Sequence, residues 1–313
     1  MELDRRTFIA GSLALSAANS MAADWPPAES FALWPGDPPD SPDILPIPAE
    51  VTQPSGPRGL PAVKMSGVAH PRLYVFRPPK PNGIALLVTP GGSYVRLSVQ
   101  DEAGSGLAPF GFTIFMLTYR LPGDGWRNRS NVPLQDAQRA IRLIKSKAAD
   151  FSIDPERVCV LGFSAGGHLA ASLATCFAEE VYPPVDQADR LSARPRAAGL
   201  IYPVIDMHPG FAHMKSRENL LGPDPGEALM AARSPHLRVT ADTPPCFLAH
   251  ALDDPTVAVD NSLLMLAALR ASRIPAEAHL FEKGGHGFGF GLPDGESGAR
   301  WPSLFLDWLG KHA

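Results

Sequence analysis

Gly162-Phe163-Ser164-Ala165-Gly166 joins an apolar run, Arg157-Val158-Cys159-Val160-Leu161, to a small-residue segment, His168-Leu169-Ala170-Ala171-Ser172-Leu173-Ala174-Thr175. The first run reads as a buried strand and the second as a helix. A chain passing from strand to helix through so short a turn holds its central residue in a strained conformation. The flanking glycines let neighbouring backbones pass closely. The serine hydroxyl is thereby raised above the sheet edge, the arrangement of a nucleophile elbow.

A nucleophilic serine needs a base, and the base needs a carboxylate to orient it. On an elbow of this kind the acid follows the serine in the chain, and the histidine follows the acid. Cys246-Phe247-Leu248-Ala249-His250 is a late apolar strand, entered through Pro244-Pro245, that empties into Ala251-Leu252-Asp253-Asp254-Pro255-Thr256-Val257. Glu277-Ala278-His279-Leu280-Phe281 is a further strand, ending in the histidine loop Gly284-Gly285-His286-Gly287-Phe288. Three strand ends thus deliver Ser164, an aspartate (Asp253 or Asp254) and His286 to one edge of a sheet.

The remaining chain alternates the two element types. Arg72–Phe76, Gly83–Thr89, Phe112–Tyr119 and Ala198–Tyr202 read as strands. Leu134, Ala137, Ile141, Ile144 and Ala148 recur at helical spacing. Ser98-Val99-Gln100-Asp101 has the form of a capping box and predicts a short helix to about Phe110. Asp260 is expected to cap a Leu-rich helix to Ala271, and Trp301, Phe305, Trp308 and Leu309 mark a last helix. Such alternation implies a mostly parallel sheet covered by helices on both faces.

These motifs resemble the α/β-hydrolase esterases, the bacterial group that includes hormone-sensitive-lipase-like carboxylesterases and the acetyl xylan and feruloyl esterases. The resemblance runs from about Arg72 to the C-terminus. His250–Val257 is similar to the family pattern H-G-x-x-D-x-x-V, with Ala251 in place of the glycine, and that register implies Asp254 as the acid. Pro90-Gly91-Gly92-Ser93-Tyr94 resembles the family's H-G-G-G loop, with Pro90 for the histidine and Ser93 for the third glycine. The resemblance implies a Ser164–His286–Asp254 triad with oxyanion donors from the amides of Ala165, Gly92 and Ser93. It implies short-chain or carbohydrate acetyl esters as substrates, and chemistry that uses no metal or organic cofactor. Asp136 and Tyr119-Arg120 match positions that brace the site in relatives. Tyr94, Trp126, Phe163 and Phe288 are expected to contact the acyl group or a sugar. His168 and His250 are expected to support the site, and Met207–Arg233 to form a small cap. Asp206, His208 and His213 are irregularly spaced and read as ordinary loop residues.

Composition sets the frame. The chain has 313 residues, 45% of them hydrophobic, enough for one large α/β core. Its net charge of −4 and lack of a basic run argue against a nucleic-acid partner. The three cysteines, Cys159, Cys176 and Cys246, have neither metal-site nor disulfide spacing and read as core thiols. Asp4-Arg5-Arg6-Thr7-Phe8-Ile9, a modest apolar run and the small residues at Ser20-Met21-Ala22 predict a twin-arginine export signal. That run is too short to leave a membrane anchor after cleavage. Many of the 34 prolines fall in the first 80 residues, where they disfavour helix and central strand. The expected division is a signal over 1–22, a Pro-rich arm over 23–61 and a hydrolase domain over 62–313. The sequence sets no oligomeric state.

Overall fold

The computed structural model describes residues 25–55, 60–99 and 106–313. The expected export signal lies outside them. The strands are β1 (Ser30–Ala32), β2 (Ala49–Ser55), β3 (Leu60–Ser66), β4 (Arg72–Phe76), β5 (Ala85–Thr89), β6 (Leu97–Val99), β7 (Thr113–Thr118), β8 (Val158–Phe163), β9 (Ala198–Ile201), β10 (Cys246–Ala251) and β11 (Ala276–Phe281). Eight of them form one sheet in the order β1-β4-β7-β5-β8-β9-β10-β11. β1 and β4 are antiparallel to their neighbours, and every pairing from β7 to β11 is parallel. Every residue of β5, β7, β8, β9 and β10 is buried. That continuous burial explains why these strands read as unbroken apolar runs rather than alternating ones.

The helices are α1 (Val132–Ser146), α2 (Ala165–Cys176), α3 (Met214–Leu221), α4 (Glu227–Ala232), α5 (Asp260–Ala271) and α6 (Trp301–His312). Successive strand residues point to opposite faces, so two neighbouring positions on β8 show how the sheet is covered. A Cβ on Gly162 would lie 2.7 Å from Ala170 of α2. The adjacent Leu161 lies in register with Gly199 and, through β10, with Phe247. Gly199 and Phe247 both meet Phe305 of α6. Helices α2 and α6 therefore cover opposite faces, and the protein has the α/β-hydrolase fold.

A separate three-stranded antiparallel sheet, β2-β3-β6, stands beside the main one. Its third strand corrects the start of the helix expected from Ser98 to about Phe110; residues 100–105 of that stretch lie outside the described residues, and its end, Ala108–Phe110, is a 3-10 turn. Leu97 and Val99 are buried while Ser98 is half-buried, the alternation of a strand. The Ser98 hydroxyl accepts a hydrogen bond from Lys64 Nζ rather than capping a helix. Asp260 is likewise the first helical residue and not the cap, which is Val259.

The Pro-rich segment is strapped to the domain. β1 pairs at the sheet edge, where its missing neighbour costs least. Trp34 Nε1 donates to Asp136 Oδ1 at 2.8 Å, and Arg120 Nη1 donates to the Pro39 carbonyl at 2.6 Å. Arg120 and Asp136 form an ion pair with both side chains fully buried. A buried pair is tolerated only when its remaining donors and acceptors are satisfied, and the strap supplies two of the partners. All three cysteines are free and buried, and burial pushes the thiols of Cys159 and Cys246 up to about 12.

Candidate active site

Ser164 follows the last residue of β8 and precedes α2, with φ 53° and ψ −118°. This left-handed conformation is costly for a residue with a side chain, on the order of 1–2 kcal/mol. The surroundings hold it there: Ser164 N donates to the Ile201 carbonyl, and the Ser164 carbonyl accepts from His168 N and Val204 N. The two motif glycines are needed for close approach. A Cβ on Gly162 would stand 2.2 Å from the Gly166 carbonyl oxygen, and one on Gly166 would stand 2.1 Å from that of Thr89. Thr89 Oγ1 donates to the Gly166 carbonyl at 2.8 Å, tying the end of β5 to the elbow.

The parallel strands bring the other expected residues to the same edge. Ser164 Oγ lies 2.8 Å from His286 Nε2, and His286 Nδ1 lies 2.7 Å from Asp254 Oδ2. A carboxylate only accepts, so the proton between that pair sits on Nδ1, and Nε2 is left to accept from the serine hydroxyl. Asp254 Oδ1 accepts from the amides of Thr256 and Val257 at 2.8 and 2.9 Å. His250 Nε2 donates to Asp254 Oδ2 and to the Val257 carbonyl, while its Nδ1 accepts from Ser262. Burial works against the Asp254 charge. The hydrogen bonds from His250, His286 and the Val257 amide outweigh it and hold the carboxyl well below the usual carboxylate range. Asp253 points elsewhere and accepts from Gly285 N at 2.8 Å, pinning the histidine loop.

Gly92 has φ 135° and Ser93 φ 58°. Their amides, and that of Ala165 at the first turn of α2, find no acceptor among the described residues. Gly92 and Ser93 line the cleft above Ser164. Unpaired amides beside a nucleophile can receive the negative charge of a tetrahedral intermediate. Tyr119 Oη donates to the Pro90 carbonyl at 2.7 Å and holds the loop from beneath.

The cleft has a volume of about 300 Å³. Phe163 lines it as expected, but Tyr94, Trp126 and Phe288 do not. Tyr94, with φ 60°, turns inward, and its hydroxyl meets His168 Nδ1 at 2.7 Å. Trp126 is buried over the Arg120 guanidinium, 4.8 Å from its ring centre. Phe288 is 1% exposed and packs edge-on against Tyr202 at 4.6 Å. In each case core packing claims the ring before a ligand can. Tyr202 itself lines the cleft and packs its ring 5.1 Å from that of His286, a placement no motif announced. In the loop after β9, Asp206 and His208 bond to each other, and His213 bonds to Ser216.

His168 Nε2 faces the Arg233 carbonyl at 2.8 Å, so that nitrogen carries the proton and Nδ1 accepts from Tyr94. Burial lowers its pKa to about 4 from the ordinary 6.5. Between those values the unfolded chain takes up a proton that the folded chain does not. Stability is therefore lost as pH falls through the window, by about 3 kcal/mol at pH 4. Denaturant unfolding at pH 7 and pH 4 should show this acid loss shrinking by about that amount in His168→Gln.

No motif announces Asn219 on α3 either. Its Nδ2 donates to the Ser93 carbonyl at 2.9 Å, bracing a residue in the left-handed region from the small cap. Asn219→Ala is expected to lower kcat for a simple ester about tenfold through a misplaced donor, with KM little changed. Steady-state kinetics with an aryl acetate would check the split.

A family model, BD-FAE, matches residues 80–269. The chain belongs to the BD-FAE family. The match spans the oxyanion-type loop, the elbow and Asp254, and ends before His286, whose place is set by the geometry above. This BD-FAE chain is 33% identical over 204 residues to endo-1,4-beta-xylanase B of Butyrivibrio fibrisolvens, covering 64% of this chain and 32% of that protein. It is 32% identical over 228 residues to an acetylxylan esterase of Xylanibacter ruminicola, covering 70% of this chain and 44% of that one. It thus spans less than half the length of these curated relatives. Among solved structures, an acetyl ester-xyloside bifunctional hydrolase from Caldicellulosiruptor lactoaceticus superposes with a TM-score of 0.70 at 36% identity, over 77% of this chain and 88% of that one.

Proposed function

We propose that this chain is a serine carboxylic-ester hydrolase that removes short acyl groups, acetyl above all, from small esters and acylated xylan-type oligosaccharides. The observation that carries the reading is the unbroken hydrogen-bonded line from Ser164 through His286 to Asp254. In the first step His286 Nε2 takes the Ser164 proton as Oγ attacks the ester carbonyl. The amides of Ala165, Gly92 and Ser93 receive the developing oxyanion. His286 returns the proton to the departing alcohol, leaving an acyl-serine. A water activated by the same imidazole then attacks, and the acid is released. Asp254 holds the Nδ1 proton, which leaves Nε2 free to accept from Ser164, and stabilises the imidazolium once that proton has been taken. These steps use no metal or organic cofactor.

The cleft volume is at the lower limit of ligand pockets, about 300 Å³, which suits an acetyl group and one sugar better than a long acyl chain. The acetylxylan esterase and the acetyl ester-xyloside hydrolase among the relatives support the same substrate class. The Arg5-Arg6 pair and the apolar run after it support export to the periplasm or beyond, where such oligosaccharides arrive. The discriminating test is acetate release from acetylated xylo-oligosaccharides beside a chain-length series of aryl esters. Acetate release with turnover falling as the acyl chain lengthens is expected. Turnover that rises with chain length, without acetate release from the sugar, would point to a lipase instead.

A further inference from the structure

The oxyanion donors come from two stretches of backbone that are distant in sequence. The Ala165 amide opens α2, and the Gly92 and Ser93 amides belong to the loop after β5. A tetrahedral oxyanion is stabilised only if both stretches present their N–H groups at one point. Near β5 the loop is well tied. Thr89 Oγ1 donates to the Gly166 carbonyl at 2.8 Å, and Tyr119 Oη donates to the Pro90 carbonyl at 2.7 Å. Farther along, Ser93 and Tyr94 are consecutive non-glycine residues with φ 58° and 60°. Such a pair is unfavourable on its own and persists only where its surroundings over-determine it.

Tyr94 is the tie from this end of the loop to α2. Its ring is 1% exposed and stands edge-on to Tyr119 and to the His168 imidazole, at 6.1 and 5.8 Å. Its hydroxyl donates to His168 Nδ1 at 2.7 Å. His168 lies one turn along α2 from Ala165, and its amide donates to the Ser164 carbonyl at 3.1 Å. One side-chain bond therefore fastens the residue next to Ser93 to the helical turn that carries the Ala165 amide. The direction of that bond is set from the far side of the imidazole. The Arg233 carbonyl at the end of α4 lies 2.8 Å from His168 Nε2 and can only accept, so Nε2 keeps the proton and Nδ1 accepts from the phenol. Arg233 is in turn anchored by its guanidinium, which donates to Asn131 and to Glu179. Neither Tyr94 nor His168 lines the cleft.

We propose that Tyr94 and His168 are positioning residues for the hydrolytic step: the hydrogen bond between them holds the Ser93 amide in register with that of Ala165. This rests on the ester-hydrolase reading above. The bond acts on where the donors stand and not on the identity of the ester. Its loss lowers the rate of the chemical step and leaves ground-state binding in place. The neutral imidazole suits the place because it offers an acceptor towards the loop and a donor towards the cap.

The test compares full-length Tyr94→Phe, His168→Leu, the double variant and His168→Gln with the unsubstituted protein, each checked for folding by circular dichroism. Two quantities are read. One is kcat and KM for p-nitrophenyl acetate. The other is the inhibition constant of an aryl trifluoromethyl ketone, whose adduct with Ser164 places an oxyanion where that of the ester forms. Tyr94→Phe should lower kcat about tenfold with KM little changed, less than the loss of a whole donor because the amide is displaced and not removed. The ketone should weaken by the same factor, and His168→Leu should match it. The double variant should lose about tenfold in all and not a hundredfold, because one bond is removed either way. His168→Gln keeps an acceptor for Tyr94 and a donor for Arg233, and should stay within about threefold of the original kcat. A folded Tyr94→Phe with unchanged kcat, a kcat loss without matching loss of ketone affinity, or losses that multiply in the double variant would overturn the proposal. Should Tyr94→Phe fail to fold, His168→Leu against His168→Gln carries the same comparison, and equal losses in those two would overturn it. The ester-hydrolase reading is judged on the unsubstituted protein: if that neither hydrolyses the ester nor binds the ketone, the reading falls and this one with it.

Discussion

Ser164→Ala should lower kcat on p-nitrophenyl acetate by roughly 10⁶-fold, to the level that binding and oxyanion donors alone sustain. Ser93, Ser98 and Thr256 also line the cleft, but only Ser164 Oγ is hydrogen-bonded to His286. No other hydroxyl among the described residues is therefore poised to lose its proton to the imidazole. The substitution removes one oxygen from a buried residue and leaves the backbone ties of the elbow in place, because those run through Ser164 N and its carbonyl. Circular dichroism and thermal unfolding should be nearly unchanged. Retention of most activity by the folded variant would defeat the assignment of the nucleophile.

Asp254→Asn is expected to cost about 10⁴-fold in kcat, through the tautomer of His286 rather than through lost binding. Asp254 Oδ1 is held by two backbone donors, the amides of Thr256 and Val257. An asparagine keeps its oxygen there and turns its NH₂ towards the histidines. His286 Nδ1 must then accept, its proton moves to Nε2, and Nε2 can no longer take one from Ser164. The same NH₂ would face the Nε2–H of His250, donor against donor. Asp253→Asn retains an acceptor for Gly285 N and should change kcat only a few-fold, on the order of a surface hydrogen bond. Kinetics on the two variants side by side separate the aspartates. Equal losses would mean that the loop, and not one carboxylate, is what matters.

The parts legible in the sequence were those set by local pattern. The continuous apolar runs of β5, β8 and β10 and the spaced glycines of the elbow announce themselves, because parallel strands buried on both faces need the first and close backbone approach needs the second. The register of Asp254 came from resemblance alone; residue types left Asp253 equally open, and what separates them is two amides and two imidazoles brought from elsewhere in the fold. The misread residues share one cause. Tyr94, Trp126 and Phe288 sit beside glycines or loops where an exposed ring would be useful, but backbone direction sends each ring into the core. No local signal records that a residue at φ 60° points inward. Ser98 reads as a helix start because a capping box is a four-residue pattern, whereas its strand partner Lys64 is 34 positions away. Asn219 meets Ser93 across 126 positions, beyond any periodicity.

The central claim is that one hydroxyl, Ser164 Oγ, is the acyl-accepting nucleophile. Treating the full-length protein with a fluorophosphonate and mapping the adduct by peptide mass spectrometry tests it most directly. The account predicts a single adduct per chain, on the peptide containing Ser164, formed in step with loss of esterase activity. Modification at a different residue that abolishes activity, or full inactivation with Ser164 unmodified, would contradict it.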